Sequence, residues 1–145
     1  MTKDLYIAEA HVTGGRIDGH GRSSDGALEV DIRIPPELGG EGGGTNPEQL
    51  FAVGYAACFE NALATIARRQ KLEVGEVAID SKVMLRPGED RGFVIAVELH
   101  VTLPSAEGDD AAELVRAAHR VCPYSNATRG NIEVLLTANG AAVEA

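Results

Sequence analysis

The sequence is short of the residue types from which metal and catalytic sites are usually assembled. It holds two cysteines, 64 positions apart (122 − 58), and four scattered histidines. With no C-x-x-C pair and no H-x3-H spacing, it argues against a zinc site, and no metal is expected. Positive charge is also scarce: 13 Lys and Arg stand against 22 Asp and Glu, a formal net charge of −9. Phosphate binding draws on basic patches and counterion release, so no nucleic-acid partner is expected. No run approaches the roughly 20 apolar residues of a membrane helix, and no membrane association is expected. The opening MTKDLYIAEAHV lacks the basic-then-apolar pattern of a secretion signal. The expected location is therefore the cytoplasm, where thiols stay reduced and lasting structural disulfides are rare. NAT at 126–128 matches a glycosylation sequon, but without a secretion signal it is read as coincidence. The glycine-rich GGEGGGTNPE (39–48) lacks the Gly-Lys-Ser/Thr ending of a phosphate loop and reads as a flexible entry into a helix.

What is present is enough for one domain over residues 1–145 with a sizeable core, since 44% of the residues are hydrophobic. No internal repeat or linker divides the chain. Leu28, Val30, Ile32 and Ile34 alternate with Glu29, Asp31 and Arg33, the mark of a half-buried strand. Val77, Ile79, Val83 and Leu85 do much the same, and Phe93 to Leu103 is the longest such run. Residues 5–12 and 132–138 are expected to be the first and last strands, and TGGRIDGHGRSSDG (13–26) a glycine-rich turn. A first helix is predicted from TNPEQL to about Gln70, with Thr45 or Asn46 as cap, Pro47 in the first turn and Glu48 closing a capping box with Thr45. Its middle, LFAVGYAACF, is apolar nearly all round, as in a helix buried in its own domain or against another subunit. A second helix is predicted from Asp109 or Asp110 to just before Pro123. The order of elements gives an α+β fold.

The two cysteines carry most of the chemical interest. Cys58 lies mid-helix, where the dipole of the terminal turns is not felt, so a reactive thiolate there needs a cation brought from elsewhere. A cysteine among Ala, Tyr and Phe is otherwise a small core residue. Cys122 sits at a helix end before a polar stretch and is as well read structural as reactive. His119, three residues earlier, shares its helical face, so a Cys–His pair is conceivable, but a half-exposed histidine is the simpler reading. Arg16 and Arg22 sit in the glycine-rich turn, where most arginines are simply solvated.

Taken together, four blocks resemble the organic hydroperoxide resistance branch of the Ohr/OsmC family. They are TGGR with SSDG, LGG followed by TNPEQLFAVGYAACF, VELHVTLP, and AAHRVCPYSNATRGNIEV, in family order over nearly the whole chain. The resemblance implies an α+β fold of antiparallel sheets around a long buried central helix and a second shorter helix, in an intertwined homodimer with active sites at the subunit interface. It implies a cysteine-based peroxidase that reduces organic hydroperoxides to alcohols and protects against oxidative stress. By position, Cys58 matches the peroxidatic cysteine, Cys122 the resolving one, Arg16 the arginine that stabilises the thiolate and Glu48 the carboxylate that holds it. An intramolecular Cys58–Cys122 disulfide is implied, recycled by dihydrolipoamide or a lipoylated protein, with no bound cofactor. Phe51, Tyr55 and Phe59 are the candidate substrate-binding residues, with plain core packing as the alternative. The loop after Arg16 carries one more residue than the family pattern, which leaves Arg22 as a second candidate cation.

Glu48 and Cys58 stand ten residues apart, about 15 Å along one straight helix. Two arrangements are therefore expected as alternatives: Arg16 and Glu48 of one subunit serve Cys58 of the other, or the helix breaks near Gly54. The rival functions are a redox sensor that forms the disulfide once without turnover, and an OsmC-type peroxidase with a different peroxide preference.

Overall fold

The computed structural model describes residues 2–90 and 92–145, which fall into two compact units divided between Leu50 and Phe51. In the first unit a three-stranded antiparallel sheet runs in the order β1 (Ala10–Thr13), β2 (Gly19–Ser23), β3 (Glu29–Ile32). β2 lies inside the stretch expected to be only a turn. Its inward positions are Gly19 and Gly21, so it shows none of the apolar alternation that marks its neighbour. The first strand is also shorter and later than the expected 5–12. The β1–β2 turn begins at Gly14, whose φ of 76° and close approach to the Asp18 carbonyl exclude a side chain, and it presents Arg16.

The helix that follows, α1 (Pro47–Arg69), starts where expected. Its cap differs in detail: the Asn46 carboxamide accepts from the Gln49 N–H at 2.9 Å, and Thr45 bonds Gln49 rather than Glu48. Glu48 does not close a capping box because Arg16 occupies its carboxylate. The helix is unbroken through Gly54, which removes a break there as an arrangement for the site. By length and composition α1 is apolar enough to cross a bilayer, with a mean hydropathy of 1.4 over its most apolar window. That corrects the expectation that no such stretch exists: Ala, Val, Leu, Phe and Cys between Leu50 and Phe59 raise the average without forming an unbroken run of large side chains.

In the second unit the body of α1 joins a four-stranded sheet of order β4-β5-β6-β7, with β4 spanning Ala78–Pro87, β5 Phe93–Thr102, β6 Val134–Ala138 and β7 Ala141–Val143. β4 and β5 form a long antiparallel hairpin. β5 and β6 run parallel, as the helical crossover between them demands, and the remaining pairings are antiparallel. That crossover holds α2 (Gly108–Val121) and a short α3 (Pro123–Thr128). The polar stretch after Cys122 has the proline and small polar residues of a turn. It is helical because Pro123 occupies the first helical position, where its missing N–H costs nothing.

The core forms where Tyr55, Phe59 and Leu63 of α1 meet Val97, Leu99 and Val101 of β5 and Leu114, Val115 and Ala118 of α2. Full burial of side chains of this size contributes roughly 1.5–3 kcal/mol each. α1 is not covered all round, however: Val53 is 72% exposed and Ala57 is also exposed.

Candidate active site

The second unit brings its two cysteines together. Cys58 projects from the middle of α1 and is half-buried, Cys122 is wholly buried, and both thiols are free. Cys122 is the hinge of the α2–α3 corner: with ψ at 125° it ends one helix and caps the next. Its N–H donates to Ala118 at 2.9 Å and its carbonyl accepts from Asn126 at 2.9 Å, so the backbone on both sides is held.

Burial pushes the Cys58 thiol pKa up, the backbone N–H of Tyr124 draws it down, and the neighbouring Cys122 thiol raises it further. None of these influences is a cation, and the net direction is upward. The dipole of α1 gives no help at this depth in the helix.

The rest of the CPYSNATRGN stretch is tied to the two helices by polar side chains. The fully buried Ser125 hydroxyl lies 2.8 Å from the Tyr55 hydroxyl and 2.8 Å from His119 Nδ1. Thr128 sits 3.3 Å from Tyr55 and donates to the Tyr124 carbonyl at 2.9 Å. Arg129 donates to the His119 carbonyl and, at 2.8 Å, to Asn126 Oδ1. His119 is buried rather than half-exposed; burial first and Arg129 second hold its pKa below the ordinary histidine value. Its Nδ1 faces Ser125, so the conceivable Cys–His pair is not the contact this nitrogen makes. Burial raises the Tyr55 pKa, against the opposing hydrogen bonds of Ser125 and Thr128.

Three aromatic rings cluster beside the thiols. Phe51, Tyr55 and Tyr124 have centroids 5.6–6.0 Å apart, and Tyr124 lies against Gly54, the one position of that helix face without a side chain. Phe51 and Tyr124 also line an apolar pocket of about 480 Å³ with Ile95, Pro123, Ala127 and Ile132. Of the candidate substrate-binding residues, Phe51 faces this pocket. Tyr55 and Phe59 are wholly buried and belong to the core cluster.

In the first unit Arg16 and Glu48 form a two-pronged ion pair, at 3.0 Å and 2.9 Å. The Arg16 hydrogen bonds hold the Glu48 carboxyl below the usual carboxylate range, and Glu48 in turn raises the Arg16 pKa. Arg22, the alternative cation, points its Nε at Glu29, 3.8 Å away. Tyr124, Ser125, Thr128 and Arg129 lie in one of the blocks that carry the family resemblance, but apart from that likeness their only sequence signal is turn-forming composition.

Comparison with known proteins gives a single picture. Residues 40–137 match the family of OsmC-like proteins. The organic hydroperoxide resistance protein of Xanthomonas axonopodis pv. citri is 55% identical over 139 residues, covering 93% of this chain and 95% of that protein. The crystal structure of an organic hydroperoxide resistance protein from Legionella pneumophila superposes with a TM-score of 0.90 at 48% identity, over 94% of this chain and 98% of that one. A Vibrio cholerae relative, with captopril bound in one of its active sites, superposes at 0.92 with 42% identity, over 97% and 96% of the two chains.

Proposed function

The chain belongs to the organic hydroperoxide resistance branch of the OsmC-like family, and from that premise we propose that it is a cysteine-based peroxidase acting on organic hydroperoxides. The observation that carries the proposal is the pairing of a half-buried Cys58 with a buried Cys122 beside an apolar pocket. In this reading residues 1–145 act as one domain in the cytoplasm and protect against oxidative stress.

The Cys58 thiolate attacks the distal oxygen of an alkyl or lipid hydroperoxide. The O–O bond breaks, Cys58 takes the distal hydroxyl and becomes a sulfenic acid, and the departing alkoxide takes up the proton that the thiol lost on ionising and leaves as the alcohol. The Cys122 sulfur then attacks the Cys58 sulfur, forming the disulfide and releasing water. Two thiols of a dihydrolipoyl group, on dihydrolipoamide or a lipoylated protein, reduce the disulfide and become the cyclic lipoyl disulfide. The apolar wall of Phe51, Ile95 and Ile132, backed by Tyr55 and Phe59, suits a bulky alkyl group better than hydrogen peroxide.

The neighbours of Cys58 within its own unit raise its pKa on balance, so the thiolate needs a positive charge. We assign that charge to Arg16, with Glu48 holding its guanidinium by the two-pronged pair. Since α1 is unbroken, the proposal takes the cross-subunit arrangement, in which Arg16 and Glu48 of one subunit serve Cys58 of the other in a homodimer. Leu5, Tyr6 and Ile7, three consecutive large apolar residues that all stand exposed, favour such a partner, because a contiguous apolar surface seldom stays wet.

The test is peroxide-dependent oxidation of dihydrolipoamide by the wild type and by Cys58→Ser. Steady turnover of tert-butyl hydroperoxide by the wild type and none by Cys58→Ser is expected. Turnover by Cys58→Ser would remove the assignment of the nucleophile, and disulfide formation without turnover by the wild type would favour a redox sensor.

A further inference from the structure

The buried polar chain at the α2–α3 corner has no place in the peroxidase cycle as set out above. Ser125 is wholly buried, three residues past Cys122, and its hydroxyl bridges Tyr55 on α1 and His119 on α2. Tyr55 lies three residues before Cys58, on the same face of α1. The chain therefore joins the helix bearing one thiol to the corner bearing the other. Polar groups are expensive to bury in a core, and a chain of them that is fully paired fixes one arrangement of the elements it joins.

The proton order of the chain can be worked out from its members. Thr128 gives its hydroxyl proton to a backbone carbonyl, Tyr124 or Ser125. The single Tyr55 hydroxyl proton then has two acceptors, Thr128 at 3.3 Å and Ser125 at 2.8 Å; given to the nearer, Ser125, it leaves the Ser125 proton for His119 Nδ1. This order needs a neutral His119, which the lowered pKa of that buried ring favours, and places the ring proton on Nε2. Arg129, donating to the His119 carbonyl, holds the same corner from its backbone side.

We infer that His119 and Ser125 are positioning residues for the second step of the cycle: with Tyr55 they hold Cys122 at attacking range of the oxidised Cys58. The inference rests on the peroxidase reading. The step they serve is attack of the Cys122 sulfur on the Cys58 sulfenic acid, which forms the S–S bond and releases water. A corner that drifts by about 1 Å can slow a positioned reaction by up to roughly 100-fold. While that step waits, a second peroxide oxidises the sulfenic acid to sulfinic acid.

The experiment separates the two steps in single turnovers of the reduced full-length protein with tert-butyl hydroperoxide. Peroxide loss reports the first step, and loss of free thiol together with the masses of the products reports the second. In His119→Leu and Ser125→Ala the second step is expected to slow by about 10- to 100-fold, with sulfinic acid appearing at peroxide levels that leave the wild type disulfide-bonded. Peroxide loss in the first turnover stays within about twofold of wild type. His119→Asn, which places an amide oxygen where Nδ1 stands, restores disulfide formation. If His119→Leu does not fold, Ser125→Ala carries the comparison. Wild-type partition between disulfide and sulfinic acid in these variants would overturn the inference, as would equal loss of both steps or failure of His119→Asn to rescue. A wild type that consumes no peroxide would overturn the peroxidase reading instead.

Discussion

Gly54 offers a test in which two ordinary effects oppose each other. A methyl group added there would stand 2.7 Å from the Tyr124 hydroxyl oxygen, 3.2 Å from Cζ and 3.4 Å from Cε2, so the whole edge of the ring must move. Swinging the ring away gives up its contacts with Phe51 at 5.7 Å and Tyr55 at 5.6 Å. At about 0.5–1.5 kcal/mol each, the loss is roughly 1–3 kcal/mol. Against it stands a gain of about 1 kcal/mol from replacing glycine by alanine inside a helix. Gly54→Ala should therefore leave the protein between unchanged and about 2 kcal/mol less stable. In a Tyr124→Ala background the clash is gone, and the same substitution should stabilise by about 1 kcal/mol. Urea denaturation of the four proteins under reducing conditions, compared at a common m-value, reads this change of sign. If Gly54→Ala stabilises both backgrounds equally, the close approach of Tyr124 to α1 is not what keeps this position free of a side chain.

Three further outcomes follow from the site. Cys122→Ser should consume one equivalent of peroxide to form the Cys58 sulfenic acid and a second to form the sulfinic acid, seen as a gain of two oxygens by mass spectrometry. Glu48→Gln should flatten the acid limb of thermal stability against pH. Arg16 lowers the Glu48 pKa, so the pair's contribution is complete above the unfolded value of about 4.3 and is lost as pH falls through the lower folded value. NMR titration should find His20 above and His119 below the ordinary histidine value. His20 is held up by Asp31 first and Glu29 second, so Asp31→Asn should bring it down, while His119 is held down by burial and Arg129.

The elements that announced themselves in the sequence are those whose signal is local. Asn46 and Pro47 mark the start of α1, and the alternation from Phe93 to Leu103 marks β5. β2 gave no such mark because glycines fill its inward positions. β7 could have been read from Asn139-Gly140, a hairpin turn signature whose two residues do adopt positive φ. Glu48 was assigned to a capping box because sequence spacing cannot see Arg16, 32 residues away. The thiol pair was legible as a pair only through likeness to a family; nothing in the intervening 63 residues says that α1 and the α2–α3 corner meet. The Ser125 bridge was illegible for the same reason, since small polar residues in a row look like a turn until their partners on two other helices are known.

The nearness of the two free thiols also bears on the protein's resistance to heat. A bond between Cys58 and Cys122 would close a loop of about 64 residues, and by the chain-entropy account this stiffening of the unfolded chain amounts to about 4 kcal/mol. Every oxidising half-cycle would then leave the molecule temporarily harder to unfold, and every reducing half-cycle would return it to its softer form. In a cell under peroxide stress, the fraction awaiting reductant would be the fraction best protected against thermal damage.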